Sequence, residues 1–223
     1  MKNKVLFICY YMKNQPEPLE TLTEIRSLME RSSRFISLSG LAGVFAGIFA
    51  LMGTAAVAIR YRLSFTMEDY YSRAIYSSGV PNGEFFVFLF SVAMLVLVAS
   101  LIVAILLTTR RARKHNLPIW DRTAQRVVWN MFIPLSAGGI FCLILFEHGI
   151  FTLVAPATLL FYGLALLNTS KYTYPDLRYL ALSEISLGLL GSFLVGYGLF
   201  FWAIGFGVLH IFYGTRMYQK YER

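Results

Sequence analysis

The sequence predicts an all-α fold: a polytopic bundle of six transmembrane helices, both termini cytoplasmic, with an N-terminal amphipathic helix at the membrane interface. Three observations carry this. Of the 223 residues 57% are hydrophobic and only 14% charged, against the ~45–50% apolar content usual in soluble domains, and the mean hydropathy is +0.59. The apolar residues come in blocks of about 20, the length a helix needs to cross roughly 30 Å of hydrocarbon. The blocks lack the period-two alternation of a barrel strand, so in lipid their backbone hydrogen bonds have to close within helices.

The first span covers residues 36–59, bracketed by Arg34 and Arg60. The second covers 85–108 and stops at the basic run RRARK, residues 110–114. The third covers 124–146, with Asp121 placed to cap its start. After the short turn EHG, residues 147–149, the fourth covers 150–168. Thr173, Pro175 and Asp176 read as a capping box with proline in the first turn. Residues 177–213 are too long for one crossing and suit two, so GYG, 196–198, marks the reversal between spans 176–195 and 199–216. Residues 1–35 form a cytoplasmic segment and 217–223 a cytoplasmic tail, with no soluble domain.

Six crossings put both termini, the second loop and the fourth loop on one side, and these hold seventeen of the 20 Lys and Arg. The positive-inside rule makes that side the cytoplasm, and the plasma (inner) membrane is the expected location. The net charge of +8 is thereby explained without nucleic acid. Arg110, Arg111, Arg113 and Lys114 fit anionic lipid headgroups.

Ahead of the first span, KVLFICYYM (4–12) is too short to cross and has no small-residue cleavage site behind it, so it does not read as a targeting signal. The triplet MKN occurs at Met1 and again at Met12, which fits a translation start at Met12. TLTE, from Thr21, is a capping box, and Leu22, Ile25, Met29 and Ile36 follow near helical spacing. That pattern predicts an amphipathic helix on the membrane surface, or a cytoplasmic extension of the first span.

Cys9 and Cys142 make no disulfide framework, since one is expected in the cytoplasm and the other inside a span. The sequence has no CxxC, no HExxH and no phosphate-cradling glycine loop, and its histidines stand apart at 115, 148 and 210. No cofactor or metal is therefore expected, and no nucleophile and base pair points to an enzyme.

Small residues form stripes instead. Gly40, Gly43, Gly47, Ala50 and Thr54 share a face of the first span, a pattern that lets helices approach closely in lipid and allows a homo-oligomer through those faces. Ala181, Glu184, Gly188 and Gly191 form a second stripe, and Ala203, Gly207, His210 and Gly214 a third. Glu184 lies thirteen residues before Tyr197 and His210 thirteen after it. At ~1.5 Å per residue both sit about 20 Å from the turn, so an antiparallel hairpin brings carboxyl and imidazole into reach.

Ionisable residues inside spans often mark ion or proton paths. Glu184 and His210 are thus the site candidates, against the alternative that they only fix packing, to each other or to Ser183 and Ser186. Glu147 and His148, in an outer turn, are secondary candidates. Tyr61, Phe65, Tyr70, Tyr71 and Tyr76 in the first outer loop read as interface anchors. The run ERSSRFISLSGLAGVFAGIFALMG and the final hairpin resemble uncharacterised six-helix bacterial integral membrane proteins, a likeness that implies no activity and no site residues. The expected function is a small transporter or channel-like protein, or alternatively a membrane sensor or partner subunit in which the pair is structural.

Overall fold

The chain folds into helices in the order the hydropathy blocks demand. The computed structural model describes residues 39–63, 67–76, 80–114, 116 and 118–223, with backbone alone for Met67, Glu68, Asp69 and Tyr71. The readings made for Cys9, Met12 and the helix from Thr21 lie outside these residues, as do those for Phe65 and His115.

Helix α1 is Gly40–Tyr61, α2 Met67–Ala74, α3 Gly83–Lys114 and α4 Arg122–Glu147. Helix α5, Val154–Thr169, is extended at both ends by the 3-10 turns Phe151–Leu153 and Ser170–Tyr172. Helix α6 is Asp176–Phe193; α7, Gly198–Trp202, continues through a π-helical segment, Ala203–Leu209, into α8, His210–Tyr221. The described residues hold no strand, only an isolated bridge between Ile75 and Pro81. Five stretches are long and apolar enough to cross a membrane: Gly40–Tyr61, Gly83–Lys114, Arg122–Glu147, Phe151–Tyr172 and Gly198–Tyr221. This composition marks a multi-pass membrane protein. Helix α6 is apolar as well, but its 18 residues include Asp176, Arg178 and Glu184.

Helix ends follow local chemistry where a local partner wins. Asp121 caps α4, its Oδ1 accepting from the Ala124 N–H at 2.6 Å. Gly149 and Gly196 take φ of +73° and +95° at the two reversals, a conformation that costs glycine little. Helix α3 runs past its apolar block through RRARK to Lys114, because Arg and Lys favour helix and complement the dipole at its C-terminus. The capping box at Thr173 does not form. Thr173 Oγ1 donates back to the Thr169 carbonyl at 3.2 Å, while the Asp176 carboxylate accepts from Lys220 Nζ at 2.8 Å and the Tyr221 hydroxyl at 2.6 Å. A charged donor outcompetes a backbone amide for a carboxylate.

The small-residue stripes are where helices touch. A Cβ on Gly40 would lie 2.5 Å from the Tyr218 amide nitrogen, and one on Gly47 would lie 2.6 Å from the Gly207 carbonyl, so α1 meets the last helical rod backbone to backbone. Helix α5 meets α6 in the same way: a Cβ on Gly188 would lie 2.7 Å from the Leu160 amide nitrogen. Gly138 of α4 receives the Phe161 ring of α5. These stripes are therefore filled within the chain. Helices α3 and α4 flank the bundle and expose apolar side chains such as Leu95 (69%) and Leu143 (68%), as lipid-facing helices do.

The two ends of the bundle differ. At one, Phe85 is fully buried, with Tyr61 and Tyr70 edge-on to it at 4.9 and 5.7 Å, and Phe86 reaches Phe146 and Phe151. Tyr61 and Tyr70 thus belong to a packed aromatic cluster rather than standing as free interface anchors. At the other end Ser39 Oγ donates to Glu222 at 3.1 Å, the Gly40 N–H donates to the same carboxylate, and Arg111 pairs with it at 3.0 Å. The beginning of α1, the end of α3 and the end of α8 are clasped together there.

Candidate functional site

Glu184 sits midway along α6 on the stripe of Ala181, Gly188 and Gly191, and it is 0% exposed. His210 opens α8 directly after the π-helical segment and is 5% exposed. Glu184 Oε1 and His210 Nδ1 are 3.3 Å apart, so the antiparallel arrangement of α6 and the last rod brings the expected pair together.

The imidazole is held on both nitrogens. Its Nδ1 lies 3.0 Å from the Gly205 carbonyl and its Nε2 lies 2.8 Å from the Tyr162 hydroxyl. Because Nδ1 faces only oxygen acceptors, a hydrogen belongs there; in the neutral ring Nε2 then accepts from the Tyr162 O–H. The His210 backbone N–H turns to the Gly207 carbonyl. Such π-helical turns recur at functional sites because they displace a side chain from helical register. Tyr162 and Phe206 wall the imidazole, with ring centroids 5.4 and 5.9 Å from it.

Glu184 is left over. Its carboxyl is close enough to Nδ1 for an ion pair, but the ring N–H is aimed at Gly205, and neither oxygen has a hydrogen-bond partner among the described residues. The directional test is the one that matters for a hydrogen bond. Glycine at 205 lets the carboxyl sit close: a Cβ there would lie 2.5 Å from both Glu184 Oε2 and Leu159 Cδ2.

The other candidates stand apart. Ser183 and Ser186 turn away from Glu184 and donate to the Tyr179 and Leu182 carbonyls at 3.0 and 2.9 Å. Glu147 and His148 are exposed, and His148 Nδ1 lies 2.9 Å from Ile144 O of its own helix. Arg111, expected at lipid headgroups, is only 12% exposed and is engaged by Glu222 and, at 2.8 Å, by the Tyr221 carbonyl. Arg110, Arg113 and Lys114 remain exposed. Among the described residues no group of three His, Cys, Asp or Glu is placed to hold a metal.

Tyr162 is the site residue that the sequence reading missed. A tyrosine inside an apolar block looks like any lipid-facing aromatic, and its one signal is a position in the fourth span at a depth comparable to His210. The clasp residues Asp176 and Glu222 were missed as ion-pair partners because their partners come from distant helices. No protein-family model matches the chain, and no curated protein or solved structure matches it either.

Proposed function

We propose that the chain is a small transporter or channel-like protein of six transmembrane helices, with Glu184 and His210 as an intramembrane site for a small cation. One observation carries this: a fully buried carboxyl with neither oxygen hydrogen-bonded, beside an imidazole satisfied on both nitrogens. Polar contacts between helices in lipid stabilise by ~0.6–2 kcal/mol, but only when they are made. An unmade one costs about 1–3 kcal/mol. Packing alone thus gives no reason to keep Glu184, whereas a site that must take up and release a cation does.

The clasp supports a six-crossing topology. The start of α1 and the end of α8 meet at Glu222, which favours an even number of crossings between them, and in this reading α6 is the sixth beside the five long apolar helices. Most of the described Lys and Arg lie toward the clasp side, in the ends of α3 and α8 and the starts of α4 and α6, and we read that side as the cytoplasmic face of the plasma (inner) membrane. Exposed Arg110, Arg113 and Lys114 then meet anionic headgroups. The second reading, a sensor or partner subunit, draws on the closed packing: the surface groove of about 430 Å³ lined by Tyr179, Ser183, Leu209 and Tyr213 does not include Glu184.

Purified protein in liposomes, loaded with ion-sensitive dyes and given proton, sodium or potassium gradients in turn, tests this. The transporter reading expects one gradient to collapse with the native chain and to persist with Glu184→Gln. Vesicles that behave like empty ones in every gradient would leave the partner-subunit reading.

A further inference from the structure

We infer that the cation this site handles is a proton, delivered to Glu184 from Tyr162 through the His210 ring; this rests on the transport reading above and names its cargo and route. The carboxyl is closely packed on its Oε2 side and has few oxygen ligands near it. Gly205 closes on Oε2 so tightly that even a Cβ would lie 2.5 Å from it, and the Leu159 methyl closes on the same point. Calcium and magnesium ask for about six or more oxygen ligands, whereas the polar groups gathered at Glu184 are the His210 imidazole and the two oxygens that hold it, the Gly205 carbonyl and the Tyr162 hydroxyl. A proton needs only a hydrogen-bond partner.

The route is a line of three ionisable groups: the Tyr162 hydroxyl 2.8 Å from Nε2, and Nδ1 3.3 Å from Glu184 Oε1. A proton arriving on the Tyr162 oxygen lets the hydroxyl pass its own proton to Nε2. The Nδ1 proton leaves to Oε1, the ring ends in its other neutral tautomer, and Glu184 changes from carboxylate to carboxylic acid. One proton enters and one is held, and no other bond changes. The Nδ1 hydrogen now favours the Gly205 carbonyl at 3.0 Å over Oε1 at 3.3 Å. A small ring rotation moves it between the two, and that choice is the gate.

Among the described residues, the elements packed on α6 bring few other titratable groups toward Glu184. Helix α5 contributes Tyr162, with Lys171 and Tyr172 in the 3-10 turn past its end; α7 and the π-helical segment contribute none, and α8 contributes His210, with Tyr213, Arg216, Tyr218, Lys220 and Tyr221 further toward its end. On α6 itself Asp176, Arg178 and Tyr179 lie more than a turn away.

The test is time-resolved infrared spectroscopy of the full chain after an acid jump, following the carboxylic acid C=O band that Glu184→Gln removes. With Tyr162→Phe, the final amplitude is expected to match the native protein and the rise to slow by about 10²-fold, the scale of a lost proton-transfer partner. An unchanged rate would overturn the relay while leaving the transport reading intact. Vesicles impermeable to every ion would overturn the transport reading instead. Fluorotyrosine at position 162 keeps the shape and changes only the acidity of the hydroxyl. A several-fold change in rate supports the relay, and no change overturns it.

Discussion

Replacing Glu184 with methionine is expected to make the protein more stable while abolishing its ion movement. The carboxyl is fully buried and neither oxygen is hydrogen-bonded among the described residues, a state that costs about 1–3 kcal/mol, and more when the group is charged. Methionine is equally unbranched, and its flexible thioether fills irregular space without polar atoms, so the strain of fitting it beside Gly205 and Leu159 should stay below about 1.5 kcal/mol. The net gain is on the order of 1 kcal/mol, and for a chain of this size each such unit moves the melting midpoint by about 2–4 °C. Thermal unfolding in detergent, followed by circular dichroism, reads that shift. If the carboxyl held helices together, the same change would instead lose ~0.6–2 kcal/mol and the midpoint would fall. A fall, with ion movement preserved, would refute the reasoning.

Other perturbations test neighbouring parts. Gly205→Ala places a Cβ 2.5 Å from Glu184 Oε2 and Leu159 Cδ2, so it should cost about 1–3 kcal/mol; adding Glu184→Ala removes one of the two collisions and should recover part of that loss in a double-mutant cycle. Gly138→Ala drives into the Phe161 ring, whereas Gly139→Ala meets nothing within 4 Å, so only the first should lower the melting midpoint. Glu222→Gln removes the charge that holds Arg111 and the amide of Gly40 and should cost about 1–3 kcal/mol; added salt should weaken the native clasp and leave the variant's midpoint nearly unmoved.

What the chain reveals without its fold depends on how far each partner lies along it. The reversal at Gly196 was legible because a left-handed φ leaves glycine as the natural residue, and the meeting of Glu184 with His210 followed from counting residues either side of that turn. The cap at Asp121 was legible too, since its partner is the amide of Ala124, three residues on. Asp176 looked like a capping acid for the same local reason, and the expectation failed because Lys220 and Tyr221, over forty residues away, offer it stronger donors. Arg111 likewise has a distant partner that its neighbours in sequence do not disclose, Glu222. Tyr162 and the carbonyl of Gly205 leave no local trace, because helical register and tertiary contact decide which aromatic and which carbonyl meet the imidazole. Helix α6 shows the limit of hydropathy alone: Asp176, Arg178 and Glu184 dilute the apolar signal that marks its neighbours.

The protonation of Glu184 can be read at equilibrium, from the infrared difference spectrum between acidic and alkaline protein in lipid nanodiscs. The native chain is expected to show a carboxylic acid band typical of an apolar environment, absent from Glu184→Gln and present in full amplitude in Glu147→Gln. Identical spectra for the native chain and Glu184→Gln would mean that this carboxyl never exchanges a proton, and the proposed proton site would be contradicted.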